Sequence, residues 1–463
     1  MRDGSYDRGT MIDRLVIFGA TGDLAARYLL PGLAALRAAG LLGERFQVIG
    51  SGREDWDDAR FRSWAAAQLD RHAPHLPADA RQAMVSACGY RRSDVRDPDS
   101  VAVAVEGGGP VAAYLALPPP VFPSAVRALG SAGLPAGSRI VLEKPFGEDL
   151  ASAESLNRLI AETMSERDVF RVDHFLAMTT VQNVLGLRLA NRVLEPIWNS
   201  AHIACVDIVW DESLALEGRA AYYDGVGALK DMVQNHLLQL LCLVAVEPPA
   251  SLGERDLRDR KVDVLRSVRP LTLAGAARAS RRARYTAGRI GDRDVPAYVD
   301  EEGVDPALGT ETFAELELEI DNWRWLGTAF RLRTGKALGC DRKEVTVRFR
   351  EVPGMPSGSG ICPAPNVLRF GLEPETLSLE LSGVGARIGE LSPQTLAAKL
   401  RSPELPAYGQ LLLGIVNQEA ALSIRGDEAE EAWRVITPAL DAWSSGLVPM
   451  EEYPAGTNGP GPR

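Results

Sequence analysis

Cysteine is scarce in this sequence: it has five in 463 residues, and no two are separated by only two positions. The absence of a Cys-x-x-Cys pair excludes zinc ribbons and redox dithiols. A sparse, odd number of cysteines is typical of a reducing compartment, so we predict a cytoplasmic protein. No cluster of histidines, cysteines and carboxylates has metal-ligand spacing, and we predict no metal site.

Long apolar runs and clusters of basic residues are also missing. The longest apolar run, from Leu237 to Val246, contains Gln239 and is too short to cross a bilayer. The first 13 residues are polar and charged, unlike a signal peptide. Lys and Arg number 51 against 62 Asp and Glu, a net charge of −11, which disfavours binding to a phosphate backbone. We therefore predict neither a membrane nor a nucleic acid as partner.

What is present is the composition of a folded protein, with 46% hydrophobic and 24% charged residues in a chain long enough for two or three domains. Short apolar segments alternate with helical patterns in the first third, which predicts an α/β Rossmann-like domain with a parallel sheet. After about residue 172, several segments alternate with period two, which predicts an α+β domain with a large, mostly antiparallel sheet. We interpret the Ala/Arg-rich stretch 272–287 as a solvated helix.

A glycine turn follows the first predicted strand and precedes the first predicted helix, in the segment Gly19-Ala-Thr-Gly22-Asp-Leu-Ala25. A dinucleotide pyrophosphate requires a turn with no side chain in its way and free N–H groups at a helix N-terminus. Gly19 would form the turn, Gly22 would allow close approach, and Thr21 could add a hydroxyl. A structural turn uses the same residues, but the position after strand one favours a nucleotide site.

The end of the second strand indicates which nucleotide binds. NAD enzymes usually place Asp or Glu there, whereas an arginine suits the 2′-phosphate of NADP. The strand ends at Arg53 with Ser51 beside it, so we predict NADP as the cofactor. Glu54 and Asp55 follow closely, and NAD stays possible. A surface arginine without a ligand is the alternative.

His236 is one of only five histidines and is the candidate general base, because histidine titrates near neutral pH. It lies in the segment from Asp231 to Ala245, which is apolar almost all round and is therefore predicted to be a buried helix. Buried polar side chains there need polar partners. From these residues alone, a structural core histidine is the alternative.

Several motifs occur in order along nearly the whole chain and together resemble the glucose-6-phosphate dehydrogenase family. Besides the glycine turn they are Tyr114-Leu-Ala-Leu-Pro-Pro, Glu143-Lys-Pro-Phe-Gly, Arg171-Val-Asp-His, Asp231-Met-Val-Gln-Asn-His and Arg333-Thr-Gly-Lys-Ala-Leu. The resemblance implies oxidation of a pyranose at C1 to a 1,5-lactone with NADP⁺ or NAD⁺, in a homodimer or homotetramer assembled through the large sheet. With it, we predict a flexible N-terminus (1–11), a dinucleotide-binding domain (12–172), a substrate-binding and oligomerisation domain (173–450) and a flexible tail (451–463).

The resemblance also implies roles for single residues. His236 is the base that removes the proton of the C1 hydroxyl, Asp173 orients it, and Lys144 lies between nicotinamide and sugar. The implied cofactor-binding positions are Gly19, Thr21, Gly22, Asp23, Leu24, Arg53, Ala116, Pro118, Lys144 and Pro145, the last after a cis peptide bond. The substrate-binding positions are Lys144, His174, Phe175, Met178, Glu212, Asp231, His236, Lys336 and Asp341.

The sequence departs from the family where a 6-phosphate is bound. After His174 the family's Tyr and Lys are replaced by Phe175 and Met178, and a later Lys or Arg is replaced by Asp341, followed by Arg342. A lost charge-assisted hydrogen bond costs about 1.5–3 kcal/mol. A carboxylate ~4 Å from a phosphate adds roughly 1–4 kcal/mol of repulsion. Together these changes would weaken phosphate binding by about 10²- to 10⁴-fold.

We therefore expect a C1 dehydrogenase of an aldohexose that is unphosphorylated or modified at C6. One alternative is glucose 6-phosphate itself, bound by a reduced clamp of His174, Lys336 and Arg342. The other alternative is a catalytically silent assembly or regulatory homologue, which the retained catalytic residues and the retained glycine turn disfavour.

Overall fold

The structure, a computed structural model, describes residues 12–354, 363–385, 390–400 and 404–461 and divides into two compact units. Unit 1 contains residues 12–177, Ala250–Arg258 and 404–430. Unit 2 contains Met178–Pro249, the described part of 259–400, and 431–461. The predicted flexible N-terminus, residues 1–11, lies outside the described residues.

Unit 1 is built on a seven-stranded sheet. With strands numbered along the whole chain, its members are β1 (Arg14–Phe18), β2 (Gln47–Gly52), β3 (Cys88–Arg92), β4 (Ala112–Leu115), β5 (Arg139–Glu143), β6 (Val169–Val172) and β17 (Ser423–Ile424). The spatial order is β17-β6-β5-β4-β1-β2-β3, and every pair is parallel except β17 with β6. This doubly wound order confirms the predicted Rossmann-like domain.

The helices of unit 1 are α1 (Leu30–Ala38, preceded by a π-helical turn Ala25–Leu29), α2 (Asp58–His72), α3 (Ala78–Ser86), α4 (Pro98–Val105), α5 (Phe122–Ala132), α6 (Leu150–Thr163) and α12 (Ala407–Asn417). Strand β4 is buried along its whole length, as expected for a parallel strand covered on both faces. Leu412 and Val416 of α12 share a buried core with Leu33 and Leu36 of α1. Residues 404–430 therefore belong to unit 1, whereas the predicted boundaries place them in the second domain.

Unit 2 is built on a nine-stranded sheet. Its strands are β7 (Ile203–Asp211), β8 (Ser280–Thr286), β11 (Phe313–Glu319), β12 (Ala329–Gly335), β13 (Arg342–Phe349), β14 (Val367–Glu373), β15 (Thr376–Val384), β16 (Leu391–Lys399) and β18 (Met450–Pro454); β9 (Gly288–Ile290) and β10 (Arg293–Val295) form a separate hairpin. The order β16-β15-β14-β13-β7-β12-β11-β8-β18 is antiparallel except for the pairs β7–β12 and β8–β18. The predicted large, mostly antiparallel sheet is confirmed.

The helices of unit 2 are α7 (Thr179–Leu189), α8 (Ala220–Tyr223), a π-helical segment Leu229–Leu237 that continues into α9 (Leu238–Ala245), and α11 (Leu273–Ala279). Helices α10 (Glu254–Ser267) and α13 (Gly426–Ser444) contain residues of both units. Within the part of the chain that the structure describes, no helix combines the length and the apolar character that crossing a membrane would require.

Two sequence predictions are wrong in unit 2. Residues from Met450 form strand β18, paired in parallel with β8, and Tyr453 is buried with its hydroxyl donating to the carbonyl of Lys336 at 2.6 Å, so this part of the chain is not a flexible tail. The stretch 272–287 contains the short helix α11 but continues as strand β8, with Ala283 and Tyr285 buried. Arg281 lies on the same buried face as Ala283 and Tyr285, and its charge obscured this alternation.

Candidate active site

The predicted glycine turn of unit 1 lies at the carboxyl end of β1. Gly19 has a φ of 83°, and a Cβ at this position would lie 2.2 Å from the carbonyl oxygen of Ala116. The Gly19 N–H donates to the carbonyl of Ser51 over 2.8 Å. Gly22 is less constrained, since a Cβ there would be 3.2 Å from the Gly19 carbonyl oxygen. The turn itself therefore requires Gly19, whereas a Cβ at Gly22 would make one tight contact with the backbone.

A cleft beside this turn contains residues that the sequence assigns to the nucleotide and others that it does not. The predicted lining residues are Gly19, Thr21, Arg53 and Pro118. Ser51 and Glu54, which the sequence analysis considered beside Arg53, line it as well. The lining residues that were not predicted are Gly52, Ser93, Asp94, Val95, Arg96, Leu117 and Val121. A cradle that a Cβ would fill, with guanidinium groups in the same cleft, fits a dinucleotide phosphate.

The other predicted cofactor residues, all of them described, are not part of that lining. Asp23 forms an exposed ion pair with Arg27 at 3.5 Å, and Leu24 packs against the core of unit 1. The N–H of Ala116 donates to the carbonyl of Phe18 over 2.9 Å. The peptide bond between residues 144 and 145 is cis, as the resemblance implies.

Glu54 places a carboxylate in the same cleft as Arg53. It accepts hydrogen bonds from the hydroxyls of Thr21 at 3.0 Å and Tyr90 at 3.1 Å. Partial burial acts to raise the pKa of Glu54, but a backbone hydrogen bond, these two hydroxyls and the charge of Arg53 lower it overall. The hydroxyl predicted to contact the nucleotide, that of Thr21, is used to hold this carboxylate in its ionised form.

Glu143, which precedes the predicted catalytic Lys144, is the centre of a hydrogen-bond network. Its carboxylate accepts from the hydroxyl of Tyr114 at 2.5 Å and from that of Tyr408 at 3.3 Å. Burial raises the pKa of Glu143 to about 7, although both tyrosine hydrogen bonds act to lower it. The Tyr408 ring also stacks on His174, with centroids 5.7 Å apart. Within unit 1, the network thus connects the Glu143-Lys144 segment to His174.

Asp173 and Phe175 are both buried. The Asp173 carboxylate accepts from the N–H of Phe175 at 3.0 Å, so it holds the turn that follows β6. The ring of Phe175 lies edge-on to His174, with centroids 5.0 Å apart. Because Phe175 is only 3% exposed, its apolar ring packs in the interior of the protein.

In unit 2, Asp231 and His236 are carried by the π-helical segment, which packs against β7, β11 and β12. π-Helical turns are rare in proteins, and those that occur are often found at functional sites. His236 is 2% exposed, as predicted for this apolar helix. The hydroxyl of Tyr222 donates to the Asp231 carboxylate at 3.1 Å.

Glu311, just before β11, holds the start of that segment. Its carboxylate accepts from the N–H of Leu229 at 2.9 Å, and its carbonyl accepts from the Tyr223 hydroxyl at 3.2 Å. Gly227 makes room for it, since a Cβ there would lie 2.4 Å from a carboxylate oxygen of Glu311. Burial raises the pKa of Glu311 to about 7, although the N–H donor and the charges of Arg282 and Lys230 act to lower it.

Glu212 and Lys336 follow the neighbouring strands β7 and β12, and their side chains form an ion pair of 2.7 Å. The register explains the pair, because Asp211 lies opposite Gly335 and the next residue of each strand is Glu212 or Lys336. The Lys336 ammonium is also 5.4 Å from the centre of the Tyr223 ring. The structure therefore brings a predicted sugar-binding carboxylate and a predicted phosphate-binding lysine together.

Asp341 anchors a loop of unit 2. Its carboxylate accepts from the N–H of Ser213 at 2.6 Å and from the Ser213 hydroxyl at 2.7 Å, and these hydrogen bonds lower the pKa of Asp341. The neighbouring Arg342 is paired with Asp211 at 3.4 Å. Met178 is half-buried at the position before α7.

Three residues that the sequence did not single out thus have defined places: Arg96 in the cleft beside the glycine turn, Glu311 at the start of the π-helical segment, and Tyr408 beside His174. Arg96 follows β3 at the sheet edge where nucleotides bind, a position from which it could have been found. Glu311 and Tyr408 act across a long sequence separation, and no local pattern indicates such contacts.

Comparison with known proteins assigns the N-terminal and C-terminal parts of the chain to the same protein family. The family model for the glucose-6-phosphate dehydrogenase NAD binding domain matches residues 16–183, and the model for the C-terminal domain of the same family matches residues 185–462. The chain is 39% identical to glucose-6-phosphate 1-dehydrogenase of Zymomonas mobilis, covering 97% of this chain and 96% of the relative. It is 40% identical to the enzyme of the same name from Mycolicibacterium smegmatis, covering 96% and 94%.

A solved structure of glucose-6-phosphate dehydrogenase in complex with its substrate glucose-6-phosphate is also similar. It superposes with a TM-score of 0.87 at 28% identity, and the match covers 97% of this chain and 96% of that one.

Proposed function

Because this chain belongs to the glucose-6-phosphate dehydrogenase family, we propose that it oxidises glucose 6-phosphate at C1, with NADP⁺ as hydride acceptor. Two relatives of about 40% identity carry that activity in their names and match along nearly their whole length. They favour this substrate over the unphosphorylated or C6-modified sugar expected from the altered clamp, and that expectation is corrected here.

The observation that carries the proposal is the environment of Asp341. The argument against a phosphate depended on an uncompensated carboxylate near it. Both a backbone N–H and the hydroxyl of Ser213 donate to Asp341, so part of its charge is already offset. Lys336 is retained 2.7 Å from Glu212, and His174 is retained with its ring stacked on Tyr408. A reduced clamp with two cationic or hydrogen-bonding groups is therefore consistent with a phosphate ester.

Unit 1 supplies the nucleotide site of the proposed reaction. NADP⁺, when bound, supplies the acceptor for the hydride that leaves C1. The backbone at Gly19 would hold the pyrophosphate, and Arg53 would bind the 2′-phosphate. Lys144, next to the Glu143 network, keeps the role that the resemblance implies, between the nicotinamide and the sugar.

Unit 2 supplies the groups that move the proton and hold sugar hydroxyls. In this proposal a ring nitrogen of His236 takes the proton of the C1 hydroxyl while C1 loses its hydrogen as hydride, and the C1–O bond becomes the lactone carbonyl. Asp173 keeps the orienting role implied by the resemblance. Asp231 and Glu212 accept hydrogen bonds from sugar hydroxyls, and each has a donor partner of its own, Tyr222 and Lys336 respectively.

Steady-state kinetics with glucose and glucose 6-phosphate, each with NADP⁺ and with NAD⁺, tests which of the two sugars is the substrate. Two retained charge-assisted hydrogen bonds to the phosphate would raise kcat/KM for the ester by about 10²- to 10⁴-fold over glucose. Comparable values for the two sugars would overturn the proposal. No reduced nucleotide formed from any aldose would instead support the catalytically silent alternative.

A variant of Met178 tests the phosphate clamp directly. Met178→Lys restores an ammonium at a half-buried position and should raise kcat/KM for glucose 6-phosphate without changing that for glucose. Phe175→Tyr is the less suitable variant, because it adds a hydroxyl to a buried ring. An equal change for both sugars in Met178→Lys would contradict a phosphate contact at this position.

We also propose that the protein works as a homo-oligomer in the cytoplasm. Among the described residues, Cys88, Cys205 and Cys340 are not joined in disulfides, which suits a reducing compartment. Light scattering on a size-exclusion column tests the assembly, and a monomer at micromolar concentration would contradict it.

A further inference from the structure

The nucleotide cleft of unit 1 contains a second arginine that the sequence argument did not use. Arg53 and Arg96 both line it, as do the acidic residues Glu54 and Asp94. Neither arginine forms an ion pair with a carboxylate of the described residues, although neighbouring arginines do: Arg92, for example, pairs with Asp55 at 3.5 Å. Both guanidinium groups are therefore left for a ligand.

The loop that carries Arg96 is fixed beside the end of β2. The N–H of Ser93 donates to the carbonyl of Gly52 at 2.8 Å, and the hydroxyls of Ser51 and Ser93 form a hydrogen bond. The carboxylate of Asp94 accepts from the N–H of Arg96 at 3.0 Å. These contacts tie the start of the Arg96 loop to the residue immediately before Arg53.

The far end of the same loop is fixed as well. The N–H of Asp94 donates to the hydroxyl of Ser100 at 2.7 Å, and that hydroxyl donates back to the Asp94 carbonyl at 3.1 Å. Asp97 caps helix α4, with its side chain accepting from the N–H of Asp99 at 3.2 Å. A loop held at both ends keeps the backbone of Arg96 beside the cleft, so that only its side chain has to be ordered on binding.

The carboxylates of the cleft explain why one arginine would be insufficient. Glu54 is held in its ionised form by Thr21 and Tyr90, and a negative group at the end of the second strand normally favours NAD by accepting from the ribose 2′-hydroxyl. A single arginine beside it would leave the 2′-phosphate facing a carboxylate with little net attraction. A second arginine changes that balance in favour of the phosphate.

We propose that Arg96 binds the 2′-phosphate of NADP⁺ together with Arg53, and that Arg96 sets the preference for NADP over NAD against the opposing charge of Glu54. This proposal depends on the nucleotide cleft and not on the identity of the sugar. It can therefore fail or succeed independently of the proposed oxidation of glucose 6-phosphate.

Calorimetric binding of 2′,5′-ADP and of ADP to the whole enzyme tests the proposal without any turnover. In Arg96→Gln, the affinity for 2′,5′-ADP should fall by about 10- to 100-fold, the effect of one charge-assisted hydrogen bond, while ADP binding stays the same. Arg96→Lys should recover part of that loss. Glu54→Gln should act in the opposite direction and tighten 2′,5′-ADP.

Arg92→Gln is the matched control, because Arg92 lies four residues earlier, is exposed, and is not part of the cleft lining. It should leave both affinities unchanged. If Arg96→Gln and Arg92→Gln have the same effect, or if Arg96→Gln weakens ADP as much as 2′,5′-ADP, the proposal is wrong. A full loss of discrimination in Arg53→Gln with none in Arg96→Gln would leave the cleft as the nucleotide site and remove Arg96 from it.

Discussion

The proposed nucleotide cleft of unit 1 and the proposed sugar-binding residues of unit 2 differ in what their charged groups already contact. In the cleft, Arg53 and Arg96 make no ion pair with the described carboxylates. In unit 2, Lys336 is paired with Glu212 and Arg342 with Asp211. A phosphate entering the cleft meets uncommitted guanidinium groups, whereas one reaching unit 2 must share or displace an existing partner. The number of cationic residues in a sequence motif therefore does not give the strength of phosphate binding unless the partners of those residues are known.

The largest effect should come from His236 in unit 2. His236→Asn keeps a polar side chain without a base that titrates near neutral pH, so kcat should fall by about 10²- to 10⁴-fold. The measurement is kcat for glucose 6-phosphate, alongside 2′,5′-ADP binding, which should be unchanged because the cleft lies in unit 1. His202→Asn is the control, since His202 is exposed in the same unit. Retention of kcat in His236→Asn would remove it as the base.

The two glycines of the turn should differ in unit 1. Gly19→Ala forces a Cβ to within 2.2 Å of a backbone oxygen at a φ of 83°, so we expect a loss of about 2–4 kcal/mol in the free energy of unfolding. It should also lose measurable 2′,5′-ADP binding. Gly22→Ala should destabilise the protein less than Gly19→Ala, because its Cβ would lie 3.2 Å from one backbone oxygen and the φ of Gly22 is not positive, and it should weaken 2′,5′-ADP binding. Thermal melts and calorimetry separate the two, and equal destabilisation would contradict the distinction.

The fold and the candidate site could be predicted from the sequence only in part. The glycine turn, Arg53 and the buried helix of His236 depend on residues close together in the chain, and their patterns predict them. The packing of α12 on α1, the burial of Tyr453 and the capping by Glu311 join distant segments, and no periodicity indicates them. For Asp341, the sequence shows the charge but not Ser213, which lies 128 residues away and offsets it.

A smaller effect separates two lysines on the sheet of unit 2. Lys336→Ala should raise KM for glucose 6-phosphate by about 10- to 100-fold, the loss of one charge-assisted hydrogen bond, and change KM for glucose much less, through its partner Glu212 alone. Lys343→Ala is matched, since Lys343 also pairs with a glutamate, Glu373 at 2.6 Å, and lies 4.9 Å from the ring centre of Trp210. It should change neither constant. Equal effects of both variants would mean that Lys336 acts through the sheet and not through the phosphate.

The most gradual effect is a pH dependence of stability from Glu311. Its pKa is about 7 in the folded protein because of burial, against about 4.5 for an unperturbed glutamate, so the folded state holds a proton that the unfolded state releases between these values. The free energy of unfolding should therefore fall as pH rises from about 4.5 to about 7, by on the order of 3 kcal/mol from this group. Glu311→Gln keeps an acceptor for the N–H of Leu229 but does not titrate. Its melting temperature relative to the unmodified protein should thus rise between about pH 5 and about pH 7 and level off above that. The exposed control Glu302→Gln should show no trend. A flat difference for Glu311→Gln would mean that this carboxyl is already ionised throughout the range.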